Sequence, residues 1–172
     1  MEGSNVNKQD IEKYLRMLGQ ELLHRQVTGE ILLVGGAVML LKVQNRETTK
    51  DIDAYFVTGQ AEIIREAAQA IADREGLAQD WINDAAKGFF YTQPSTEQWA
   101  EYPGLRVYMP SLDYIFAMKV VAGRPQDIDD IKALAQELNL SNARDALTIV
   151  KEYIPEQLLV PRVEYMIDEI FE

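Results

Sequence analysis

The chain has 172 residues, of which 47% are hydrophobic and 26% charged. That balance specifies a globular core and excludes a disordered chain. There is no Cys and a single His, His24, which excludes disulfide frameworks, cysteine zinc sites and His-rich metal centres. A formal net charge of −11, from 17 basic and 28 acidic residues, opposes general DNA binding but leaves room for a nucleic acid held at a local basic patch such as Lys42, Arg46 and Lys50.

The longest apolar stretches, Ile31 to Val34 and Ala37 to Leu41, are too short to span a bilayer. Met1 to Asn5 has neither a basic n-region nor an apolar h-region. The expectation is a soluble cytoplasmic protein without a membrane partner.

In chain order, Ile11, Tyr14, Leu15, Leu18 and Leu22 recur at helical spacing and predict an amphipathic helix over 9–24. Ile31 to Val34, bounded by glycines, predicts a buried strand. Gly35-Gly36 follows, then a helix over 37–43 and a polar loop over 44–50. Asp51 to Val57 alternates and predicts a second strand. Ala61 to Glu75 predicts a helix closed by Gly76. Trp81 to Phe89 reads as a further helix, and Tyr91 to Gly104, with its two prolines, as the longest loop. Leu105 to Met109 predicts a third strand. Four helices follow: from Ser111 to Ala122, from Asp127 to about Leu138, from Ser141 to Tyr153, and from Pro161 onward. The expected fold class is α/β (α+β), a short mixed sheet flanked by helices. The core is expected over 1–110 and a helical C-terminal part, packed on that core, over 111–172.

The sharpest local feature is Val34-Gly35-Gly36 followed by Asp51-Ile52-Asp53. Side chains two apart on a strand share a face, so Asp51 and Asp53 stand side by side while Ile52, Ala54 and Phe56 point to the core. Adjacent carboxylates repel unless a cation lies between them, and hard oxygen ligands suit Mg²⁺ or Mn²⁺. An isolated D-x-D is more often a solvated strand edge. The two glycines let backbone N–H groups approach an anion closely, although a tight strand-to-helix turn also needs glycine. The dinucleotide fingerprint, the P-loop and the EF-hand all fail to match.

Together the glycine pair and the D-x-D resemble the nucleotidyltransferase superfamily, the DNA polymerase β fold. Trp81-Ile82-Asn83-Asp84-Ala85-Ala86-Lys87-Gly88-Phe89, Ala117 to Arg124 and Asp127 to Ile131 resemble small bacterial nucleotidyltransferase-like proteins related to AbiEii abortive-infection toxins. The resemblance covers about Ile31 to Leu138. It implies that Asp51 and Asp53 hold Mg²⁺ or Mn²⁺ and that Gly35 and Gly36 cradle the phosphates of a nucleoside triphosphate. Lys119 and Arg124 would contact phosphate, and Asp130, or else Asp127, would accompany the lysine. Read by themselves, Lys119 snorkels from an apolar stripe or meets an anion, and Asp127 caps a helix.

The implied reaction moves a nucleoside monophosphate to an acceptor hydroxyl on an RNA end, a protein or a small molecule. A toxin–antitoxin or stress setting and an antitoxin-type protein partner are implied with it. The superfamily supplies a third carboxylate from a later strand, and Leu105 to Met109 has none. The competing expectation is therefore a degenerate protein on the same fold, acting as a nucleotide-binding or protein-interaction module.

Overall fold

The computed structural model of the protein describes residues 5–57, 59–84 and 92–172. They form a mixed α/β architecture with a five-stranded sheet, a second small sheet and a helical C-terminal region. Two compact units are present. The first contains the described residues up to 84 and 96–109, and the second contains 92–95 and 110–172.

The first unit opens with β1 (Val6–Asn7) and α1 (Lys8–His24). Asn7 and Asp10 make a reciprocal capping box: Asp10 N–H donates to Asn7 Oδ1 at 2.9 Å and Asn7 N–H to Asp10 Oδ2 at 3.0 Å. Then come β2 (Gly29–Val34) and α2 (Gly36–Val38), which runs on as a π-helical turn over Met39–Val43. Next are β3 (Thr48–Thr49), β4 (Ile52–Phe56), α3 (Ala61–Glu75) and β5 (Ile82–Asn83). A hairpin of β6 (Thr96–Tyr102) and β7 (Leu105–Pro110) completes the unit.

The main sheet has the order β5-β4-β2-β7-β6, with β2 antiparallel to β4 and parallel to β7, and β4 parallel to β5. Ile31, Leu33, Ile52, Ala54 and Phe56 are buried. A Cβ on Gly29 would meet Leu22 Cδ1 at 2.7 Å and Ile64 Cδ1 at 3.6 Å, so α1 and α3 close together over that strand. Trp81 joins them: its indole N–H donates to the Ala68 carbonyl at 2.9 Å, and its ring meets Tyr14 edge-on at 5.7 Å.

In the second unit, α4 (Leu112–Ala122) is apolar on most of its faces and packs against α5 (Ile128–Glu137), α6 (Ala143–Tyr153) and α7 (Pro161–Ile170). Gly123 ends α4 at φ +61°. Arg162 of α7 reaches the end of α4 and donates to the carbonyls of Val121 at 3.1 Å and Ala122 at 3.4 Å. Tyr114 and Tyr153 meet edge-on at 5.5 Å.

Several expectations change. The helix predicted from Trp81 is a strand at 82–83: Ile82 alone faces the core there, and pairing with β4 replaces helical hydrogen bonding. Residues 85–91 lie outside the described residues. Part of the predicted long loop is β6, a mostly exposed edge strand whose polar sequence shows no alternation. The Pro103-Gly104 turn, with Gly104 at φ +84°, was its signal. Thr48 and Thr49, within the predicted polar loop, pair with β1. Asn142, not Ser141, caps α6 through a 2.9 Å bond from Asp145 N–H. Asp127 has the predicted N-cap position, but its carboxylate turns to Lys119 and Arg124 instead of the helix backbone.

Candidate active site

The antiparallel register places Val34 opposite Asp53, so the glycine turn leaves β2 beside the D-x-D segment, of which Asp51, expected on the strand, lies just before β4 begins at Ile52. Gly35 has φ +63° and ψ −140°, a conformation open to glycine alone in practice. A Cβ there would stand 3.0 Å from Asp53 Oδ2. Gly36 is equally constrained: its Cβ would collide with Thr49 Oγ1 and approach Arg46 Nη1 to 3.3 Å. The bend therefore has side chains from two directions around it and none of its own.

Asp51 and Asp53 are both half-buried, and among the described residues neither forms an ion pair with an arginine or lysine. Burial pushes the Asp51 carboxyl above its ordinary range. The neighbouring charges of Asp53 and Asp80 push it the same way, and Lys50 opposes them. Thr49, itself buried, donates its hydroxyl to the Asp51 carbonyl at 3.3 Å and pairs with Val6 across the small sheet. That pairing fixes where the D-x-D segment begins.

The strand flanking the acids is β5, not the Leu105 to Met109 segment, which lies beyond β2 as β7. Asn83 is in register with Asp53 and shares its face. An amide therefore stands where a third acid on β5 would face Asp53. Sequence reasoning missed this position because it expected a helix there. The next residue, Asp84, turns its carboxylate along β4. Its Oδ1 accepts the Phe56 N–H at 3.2 Å, and its Oδ2 lies 3.7 Å from Arg65 Nη2. No group of three or more acids or histidines among the described residues is arranged to hold a metal ion. The hard oxygens of the two carboxylates nonetheless suit a divalent cation.

Lys119, Arg124, Asp127 and Asp130 come together within the second unit. Lys119 is 8% exposed, Asp127 4% and Asp130 2%. Lys119 Nζ lies 3.1 Å from Asp127 Oδ1 and 3.1 Å from Asp130 Oδ2. Arg124 grips Asp127 through Nε to Oδ2 at 2.8 Å and Nη2 to Oδ1 at 3.3 Å. Two cations and two anions cancel. The lysine predicted to snorkel or to meet an anion meets two carboxylates of its own chain.

Residues 13–157 match the model of a family described as a nucleotidyltransferase of unknown function (DUF6036). The chain belongs to that family. The match spans both the glycine turn with the D-x-D of the first unit and the Lys119 cluster of the second. Searches of curated proteins and of solved structures gave no match. No helix among the described residues is long and apolar enough to cross a membrane.

Proposed function

We propose that this nucleotidyltransferase-family protein is a metal-dependent enzyme that moves a nucleoside monophosphate from a nucleoside triphosphate to an acceptor hydroxyl. The observation that supports the reading is the fit of the Gly35 bend against Asp53, beside two carboxylates with which no lysine or arginine among the described residues forms an ion pair. Asp51 and Asp53 would hold Mg²⁺ or Mn²⁺. Such an ion supplies neutralisation of phosphate charge and lowers the pKa of a bound hydroxyl.

The remaining work belongs to the chain. Gly35 and Gly36 would present their backbone N–H groups to phosphate oxygens. Pairing of β4 with β2 and β5 fixes the backbone of Asp53, and the Thr49 hydroxyl bond to the Asp51 carbonyl ties down the residue just before the strand. Catalysis is then chiefly positioning and electrostatics. The acceptor oxygen forms a bond to the α-phosphorus and the bond to the bridging oxygen breaks. Pyrophosphate leaves, and the hydroxyl proton passes to solvent.

RNA ends, protein hydroxyls and small molecules are the acceptor classes. A toxin–antitoxin or stress setting with an antitoxin-type partner extends the proposal through the resemblance to AbiEii-type toxins. A second reading is favoured by Asn83: an amide beside Asp53 leaves two acids, which suits a protein that binds a metal–nucleotide without turning it over.

The test is label transfer from each α-labelled nucleoside triphosphate, with Mg²⁺ or Mn²⁺, to RNA, protein and small-molecule acceptors. Transfer by the wild type and none by Asp51→Asn/Asp53→Asn is the expected result. Undiminished transfer by the double variant contradicts the assignment. Nucleotide binding without transfer to any acceptor establishes the second reading.

A further inference from the structure

One buried side chain touches both halves of the candidate site. Thr49 is buried within a segment, 44–50, that is otherwise exposed or half-buried, and its pairing with Val6 anchors it to β1. Its Oγ1 occupies the space into which a Cβ on Gly36 would project, and its own Cβ would stand 3.3 Å from that atom. The same Oγ1 donates to the Asp51 carbonyl at 3.3 Å. A side chain two residues before Asp51 thus fills the hollow left by the second glycine and reaches the backbone of the first acid.

The bond acts on one particular peptide group. Asp53 lies within the ladder of β2, β4 and β5, whereas Asp51 precedes it. The peptide that joins Asp51 to Ile52 donates its N–H to the Trp81 carbonyl at 2.9 Å and offers its C=O to the Thr49 hydroxyl. A planar group held at both ends keeps one orientation, and with it the direction in which the Asp51 side chain leaves the backbone. Acids two apart share a face only while the chain between them stays extended. Without the hydroxyl, the carbonyl end of that peptide is free to turn and the two carboxylates lose their fixed spacing.

We infer that Thr49 is a positioning residue, whose hydroxyl holds the Asp51–Ile52 peptide beside the glycine bend and so presets Asp51 and Asp53 for a divalent cation. The inference rests on the metal-site reading of the proposed function and deepens it by naming the side chain that shapes the site without touching the ion.

Two variants separate a hydroxyl role from a packing role. Thr49→Val keeps the branched shape against Gly36 and removes the donor, while Thr49→Ser keeps the donor and removes a methyl group. The test is Mn²⁺ titration of the full chain without nucleotide, followed by electron paramagnetic resonance well below the unfolding temperature of each variant. Thr49→Val weakens Mn²⁺ binding about three- to tenfold, the worth of one hydrogen bond, and Thr49→Ser stays within about twofold of the wild type. Hydrogen exchange without metal gives a second reading: the Ile52 N–H exchanges faster in Thr49→Val than in Thr49→Ser. Affinity thus follows the hydroxyl, whereas a packing role makes it follow the methyl group. Thr49→Ala replaces Thr49→Val in the comparison with Thr49→Ser if the valine variant does not fold. Wild-type Mn²⁺ affinity in Thr49→Val overturns the inference, as does equal or greater weakening in Thr49→Ser. The two levels fail separately. A site that needs Asp51 and Asp53 but ignores Thr49→Val leaves the metal reading standing alone, and no Mn²⁺ site in the wild type overturns that reading and the inference together.

Discussion

Asp51 with Asp53 at the start of β4, and Asp127 with Asp130 around the start of α5, are two pairs of acids at short sequence spacing, and the chain treats them differently. The second pair is almost fully buried and balanced by Lys119 and Arg124. The first pair is half-buried, and no lysine or arginine among the described residues ion-pairs with it. A balanced buried cluster finds opposite charges within the folded chain. An unbalanced pair gains when something outside the chain supplies the missing charge. Acid content alone does not separate the two pairs. The placement of cations does.

The largest effect should follow from breaking the balanced cluster. Lys119→Met removes the cation that Asp127 and Asp130 share, and should cost about 3–5 kcal/mol of stability, read by chemical denaturation. A cost below about 1 kcal/mol would mean that water already screens the cluster. Next is the bend. Gly35→Ala forces a side chain into φ +63° and against Asp53 Oδ2. It should lower stability by about 1–3 kcal/mol and weaken Mn²⁺–nucleotide binding beyond any change in folding. Full retention of both would show that the bend relaxes easily and makes no close approach to phosphate.

The smallest effect concerns Asp51 and has the opposite sign. Its folded-state pKa is raised above 3.8 by burial, then by Asp53 and Asp80. A raised carboxyl pKa means that the folded state binds the proton more tightly than the unfolded chain does. Stability from this group is therefore present at low pH and lost as pH rises through the folded value. Asp51→Asn should slightly raise the melting temperature at neutral pH without divalent ions. The gain should shrink as pH falls towards 3.8 and reverse when Mg²⁺ and nucleotide are added. A loss of stability at neutral pH without metal would contradict the unbalanced-charge account.

The sequence made the long periodic elements legible. Ala61 to Glu75 carries its helix pattern and its Gly76 terminator in plain view, and the Ile52, Ala54, Phe56 alternation predicts β4. The glycine bend and D-x-D were also legible, because each depends on a local backbone rule. The short strands were not. β5 has only Ile82 and Asn83, too few residues for a period, and exists because β4 offers it hydrogen bonds. β6 buries no apolar stripe and owes its form to the hairpin. Without β5 in view the neighbour of Asp53 is hidden, and the strand legible in the sequence, Leu105 to Met109, lies two strands away from β4. The partners of Lys119 were out of view for a related reason: eight positions separate it from Asp127, across a break at Gly123 that periodicity does not carry through.

The most direct measurement of the central claim is Mn²⁺ binding followed by electron paramagnetic resonance, with and without a nucleoside triphosphate, in the wild type and Asp51→Asn/Asp53→Asn. The account predicts one Mn²⁺ site in the wild type, tightened by the triphosphate and lost in the double variant, with the melting temperature held or raised. Equal Mn²⁺ binding by both proteins, in the presence of the triphosphate, would contradict it.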